Sequence, residues 1–233
     1  MRLFSTSALI LVVTCSHAIS RDHGIRKMSF TRTQGTGRIQ VSWEIPTAHT
    51  PLATLVRADL EKSIRRIERQ GLKNISTSLI DKDHPGYGVT VKLGLTYHSD
   101  SLISEGGTDY DWPGSASLSS TTAVTKNWGV IDGKPSVLSL LDVVRKDRHS
   151  VDALKAKLSM ELQTILAPKH ASQYANRAPT DLRRRDWGVS PEGLIWYVSD
   201  PDRAHWVDSV ILTWATVGSL LDPQGPLGAH AAH

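Results

Sequence analysis

The hydrophobic and polar positions of this chain fall into two periods, and the switches between them divide it into elements. Residues 38–44 alternate Ile39, Val41 and Trp43 with Gln40, Ser42 and Glu44, the two-residue period of a half-buried strand. Pro46 and Pro51 end that strand. From Leu52 the period lengthens: Leu52, Leu55, Val56, Leu60, Ile64 and Ile67 form one helical face, with Lys62, Arg65, Arg66 and Arg69 on the other. Glu61 stands one turn before Arg65, and Gly71 is the predicted stop.

Alternation returns over residues 87–97, with Val89, Val91, Leu93, Leu95 and Tyr97 on one side of the clearest strand in the chain. Further strands are predicted over 101–110 and 116–130, then a turn at Asp132 and Gly133, with Pro135 limiting the segment after it. Residues 139–144 predict a short helical turn. Ser150 is the predicted cap of a second helix, whose stripe is Val151, Leu154, Leu158, Leu162, Ile165 and Leu166 before Pro168. Three strands at 186–189, 194–199 and 207–214 and a short closing helix at 217–221 complete the pattern. With no internal repeat and no Pro/Gly/Ser linker in the middle, strands and helices share one core. The expected fold is α+β, a single domain with a mixed or antiparallel sheet packed against two long amphipathic helices over residues 38–227. Residues 228–233 read as a frayed tail.

The N-terminus gives an address. Met1 and Arg2 precede an apolar stretch to Val13, and Ser16, His17 and Ala18 place small residues three and one before a cut, the layout of a secretory signal peptide over residues 1–18. Cys15, the single cysteine, offers an alternative, a lipoprotein signal ending at residue 14 with the thiol lipidated. Residues 19–37, polar and without a period, read as a flexible linker. The expected location is therefore outside the cytosol, periplasmic or secreted, free or lipid-anchored. The longest uninterrupted apolar run near membrane quality, residues 8–13, is far short of the roughly 20 residues a spanning helix needs, so no spanning segment is expected. One thiol excludes an intramolecular disulfide, and stability must come from apolar burial, for which 233 residues suffice.

Charge and candidate chemistry narrow the function. The 27 Lys and Arg against 23 Asp and Glu make the chain weakly basic, yet it has neither a helix-turn-helix nor an aromatic-basic RNA signature, so nucleic acid is not an expected partner. The densest basic run, Arg183 to Arg185, is flanked by Asp181 and Asp186. Gly188-Val189-Ser190 lacks the Gly-x-Ser-x-Gly spacing of a nucleophile elbow and reads as a turn. Asp109 with Asp111, and Asp200 with Asp202, can each place two carboxylates on one strand face. His230 and His233 lack the further ligands of a zinc site, so no metal and no cofactor is expected, and no catalytic residue is assigned. The aromatics say more: seven Trp and five Tyr against two Phe favour amphipathic rings, which suit recognition surfaces. Trp43, Trp196 and Trp214 are predicted core. Tyr110 and Trp112 beside a Pro-Gly loop, and His205 with Trp206, are the candidate binding residues.

In the order of its elements the sequence resembles the RsiV-type extracytoplasmic domain, a family largely of unknown function. That domain occurs in RsiV anti-sigma factors, ahead of the catalytic domain of some peptidoglycan deacetylases, and in secreted mycobacterial immunogenic antigens. The resemblance covers residues 38–226. It rests on RIQVSWEIP, SDSLISEGG, IDGKPSVLSLLDVV, WGVSPEGLIWYVSD and VILTWATVGSLLDPQGP, which place a fold and carry no chemistry. The family's Tyr-Gly-Gly-Ala-His-like segment corresponds to residues 110–116 here, where there is no His, so a role tied to that imidazole does not transfer. The resemblance implies a noncatalytic envelope-facing binding or sensing module whose partner is an envelope protein or a cell-wall polymer. Lysozyme, known as a partner of RsiV relatives, is basic like this chain, so the field between them would not assist encounter. The alternatives are a hydrolase of wall glycan or ester, with Asp109, Asp111 or His98 in its site, and a secreted structural antigen.

Overall fold

A computed structural model describes residues 24–77, 86–112, 119–166, 186–199 and 207–231. Strands β1 (Ile25–Gln34), β2 (Gly37–Pro46), β3 (Gly88–His98), β4 (Leu102–Trp112), β5 (Ser120–Ile131) and β6 (Lys134–Val137) form one sheet in sequence order. Neighbours are antiparallel except β2 and β3, which are parallel because helix α1 (Pro51–Thr77) lies between them in the chain. A second, antiparallel sheet contains β7 (Trp187–Val189), β8 (Gly193–Ser199) and β9 (Val207–Thr213). Helix α2 (Arg148–Glu161) precedes it and the one-turn helix α3 (Trp214–Val217) follows.

The α+β class and the mixed sheet are as the sequence predicts, but the two long helices are not. The helices have 27, 14 and 4 residues, and the stripe expected to extend α2 passes into a π turn at Leu162–Leu166. Helix α1 runs six residues past Gly71, because Ile75 is as buried as the residues before it and keeps the apolar face going. Its start follows local rules: the Thr50 hydroxyl accepts from the Ala53 N–H at 3.1 Å, and Pro51 occupies the first turn, where no donor is lost. For α2 the cap is Asp147, not Ser150; its carboxylate accepts from both the backbone N–H and the hydroxyl of Ser150 at 2.8 Å.

Two expectations at the ends are corrected. Residues 25–34, expected as linker, form β1 and pair along their whole length with β2, Met28 against Trp43 and Phe30 against Val41. As an edge strand, β1 carries Arg26, Lys27, Thr31, Arg32 and Thr33, and that polar load hides its period. Residues 228–231, expected to fray, form a 3₁₀ turn held by buried Leu227 and Ala231, and the His230 ring stacks on Trp214 with centroids 4.0 Å apart.

The six-stranded sheet is covered on both faces. On one, α1 buries Leu52, Val56, Leu60, Ile64 and Ile75 against Ile39, Val41, Val89, Val91, Ile103 and Trp128. On the other, Leu102 joins α2, the second sheet and the C-terminal turns in a core containing Leu154, Leu158, Trp187, Trp196 and Leu212. A polar network crosses this second interface. The Ser104 hydroxyl donates to Asn127 Oδ1 at 2.7 Å and accepts from the Val189 N–H at 2.9 Å, while the Asn127 amide donates to the Trp187 carbonyl at 2.8 Å. The predicted core tryptophans divide: Trp196 is buried, whereas Trp43 and Trp214 are half-buried and Trp128 and Trp187 fill the core instead.

Candidate functional site

Residue parity on β4 decides what faces α1. Ile103 packs with Leu52, Val56 and Leu60 of the helix, so Glu105, Gly107, Asp109 and Asp111 follow it along the same face, while Leu102 and Ser104 turn to the second sheet. Asp109 lies opposite Val91 and Asp111 opposite Val89 on β3, both part of the apolar floor under α1. Above them, Arg66, Gln70 and Asn74 succeed one another at four-residue spacing on the helix, with Ile67 and Gly71 between. These residues and Tyr87 enclose a cleft of about 250 Å³.

The cleft is polar at its walls and dry at its floor. The Asn74 amide donates to the Tyr87 hydroxyl at 2.9 Å, and the Gln70 amide donates to Asn74 Oδ1 at 2.8 Å. Burial pushes the Tyr87 phenol up to about 12, with the Asn74 bond working against the rise. Burial also pushes the Asp109 carboxyl up to about 6, helped by the charge of Asp111. Asp111 is raised by burial too and lowered by its hydrogen bond with Tyr87. One oxygen of each aspartate, Oδ1, is buried without a hydrogen-bond partner among the described residues. Two desolvated acceptors on an apolar floor thus face the cleft with no donor supplied by the described residues.

A second cavity, about 210 Å³, opens on the β5 side of α1 and is lined by Asp59, Lys62, Ser63, Arg66, Arg69 and Lys126. Arg66 belongs to both. In this cavity Asp59 Oδ2 accepts from Lys126 Nζ and from the Trp128 indole, each at 2.9 Å, and Lys126 also donates to the Ser63 hydroxyl at 2.8 Å.

The residues singled out from sequence are not all brought together. Asp109 and Asp111 share the cleft, but His98 is exposed at the opposite end of β3 from Tyr87. Tyr110, 37% exposed, and half-buried Trp112 alternate onto the other face of β4, and the Trp112 indole N–H has no protein acceptor among the described residues. Cys15, His205, Trp206, Arg183 to Arg185, and the pair Asp200 and Asp202 lie outside the described residues. Sequence reading missed Arg66, Gln70, Asn74 and Tyr87 as a group. Their signal is the four-residue spacing of 66, 70 and 74, which a helix stop predicted at Gly71 cuts short.

With helix, six-stranded mixed sheet and second sheet in place, the chain shares the fold of DUF3298-family proteins, a class whose function is unknown. It is similar to a DUF3298-family protein of Pseudomonas aeruginosa, with a TM-score of 0.55, 14% identity and coverage of 94% of this chain and 96% of the other. It is similar as well to a DUF3298-family member of Bacteroides fragilis, with a TM-score of 0.52, 13% identity and coverage of 96% of each. No protein-family model matches the sequence, and no curated protein matches it. No helix among the described residues is long and apolar enough to cross a membrane.

Proposed function

We propose that this chain is an exported, noncatalytic module of the RsiV-type extracytoplasmic class that binds a protein or a cell-wall polymer in the envelope, with the cleft between α1 and β4 as its receiving site. The observation that carries the reading is the pair of buried Oδ1 atoms of Asp109 and Asp111, desolvated over an apolar floor and without a hydrogen-bond partner among the described residues. A donor entering the cleft offsets their desolvation cost, and an ammonium or guanidinium group supplies several donors at once. The expected contact with the partner is thus a basic group seated in the cleft. Tyr110 and Trp112, on the other face of β4, are a separate aromatic surface rather than part of this site.

Capture from an envelope extract on immobilised protein tests the reading. Recovery of the partner is expected from the native chain and from Trp112→Ala, and is expected to be lost with Asp109→Asn/Asp111→Asn; equal recovery with the double variant would refute the cleft. The exported location is checked by mass spectrometry of the mature N-terminus, expected at Ile19 after release or at a lipidated Cys15, with an intact Met1 as the opposing result.

A hydrolase of wall glycan or ester is the second reading, and one feature favours it: Asp109 sits two residues from Asp111 on the same strand face, with burial and the Asp111 charge pushing its carboxyl up to about 6, the direction a general acid needs. Turnover of labelled peptidoglycan abolished by Asp109→Asn would establish it in place of binding.

A further inference from the structure

The row Lys62, Arg66 and Arg69 repeats at four and three residues along one side of α1. Like charges at that spacing cost a helix a few tenths of a kcal/mol per pair, so helix stability does not account for them. The carboxylates of α1 do not relieve them either. Glu61 pairs with Arg65, Glu68 pairs with Arg32 at 2.7 Å, and Asp59 is held by Lys126 and the Trp128 indole. Lys62 and Arg66 have no carboxylate partner among the described residues. The cavity they line thus sets exposed Lys62, Arg66 and Arg69 beside an Asp59–Lys126 pair whose one carboxylate is already engaged. Such a site calls for an anion.

This basic cavity and the carboxylate cleft are neighbours, joined at Arg66. Their helix residues are centred about six positions apart, roughly 9 Å along the axis at the α-helical rise. Three extended residues of peptide span about 10 Å. Ile67 offers apolar contact on the helix wall beside Gln70, and Val89 lines the floor at the acidic end, opposite Asp111. We infer that the groove under α1 takes a zwitterionic peptide segment about three residues long, with its free ammonium at Asp109 and Asp111 and its free acid group at Lys62, Arg66 and Arg69. This inference rests on the cleft being a binding site and adds the chemical class of what enters it and the direction in which it lies.

The test is an amide NMR titration of the full chain with the tripeptide Ala-Ala-Ala at millimolar concentration, alongside its N-acetylated and C-amidated forms. The free tripeptide is expected to shift amides of residues 62–74, 109–111 and 126. Acetylation and amidation are each expected to weaken binding by about tenfold or more, the loss of a charge-assisted hydrogen bond. Lys62→Gln/Arg69→Gln is expected to weaken the free and acetylated forms and leave the amidated form unchanged; these side chains are on the helix surface, and an unaltered melting temperature verifies the fold. If amidation is harmless while acetylation weakens binding, the zwitterion inference fails and the carboxylate cleft stands. If acetylation is harmless while amidation weakens binding, the reading of the cleft itself fails and the inference falls with it. No shift with any of the three peptides overturns the inference and leaves the cleft to the capture experiment.

Discussion

Glu105 is 2% exposed beneath α1, with one carboxyl oxygen lacking a hydrogen-bond partner among the described residues, and burial pushes its carboxyl up to about 8, against which Lys126 acts only in part. An unfolded chain releases this proton near 4.5, so between 4.5 and about 8 the native state binds more protons than the unfolded one, and stability falls as pH rises through that window. The loss is on the order of a few kcal/mol. Asp109 acts in the same direction between 3.8 and about 6. Glu105→Gln removes the larger contribution while keeping the shape of the protonated acid. Its melting temperature is expected to match the native protein near pH 4.5 and to exceed it by several degrees at pH 8; coincident curves at both values would show that Glu105 is solvated.

Helix α1 reaches its sheet because Gly71 has no side chain: a Cβ there would stand 2.7 Å from Cδ1 of Ile39, which is fully buried. Gly71→Ala gains up to about 1 kcal/mol of helix propensity but overpacks this contact at about 1–3 kcal/mol. Thermal unfolding is expected to drop by several degrees, and a rise would mean that Ile39 yields freely. The C-terminal turn is a second docked element. Tyr97 Oη and His230 Nε2 are 2.9 Å apart, and burial lowers the pKa of the imidazole from 6.5. A base lowered on folding docks best above 6.5 and loosens as pH falls through that value. Hydrogen exchange at residues 230 and 231, relative to β8 at the same pH, is expected to rise below 6.5 in the native chain and to stay flat in His230→Phe. Elements of this kind were legible where burial is one-sided: the alternation of Val89, Val91 and Leu93 and the turn at Asp132 and Gly133, both at positive φ, match the structure. They were illegible where tertiary contact decides, as in polar β1, in the passage of α1 through Gly71, and in β6, where Pro135 sits on a sheet edge that does not need its missing N–H.

At the scale of the molecule, the class of fold was legible in the chain's patterning and the cleft was not. Asp109 and Asp111 could be paired from their spacing, but their burial depends on a helix more than 30 residues earlier and on Tyr87 beyond it. Part of the aromatic excess serves the interior: Trp128 and Trp187 are core, and the indole of Trp128 donates to Asp59. The proposed cleft lies where charge and desolvation meet along α1. Carbon-13 NMR titration of the aspartate carboxyls measures that desolvation directly, with Asp109→Asn and Asp111→Asn assigning the signals. A carboxyl assigned to Asp109 that titrates near 6, and moves downward when a primary amine is added, is expected. Both carboxyls titrating near 3.8, unmoved by the amine, would contradict a dry, donor-seeking cleft.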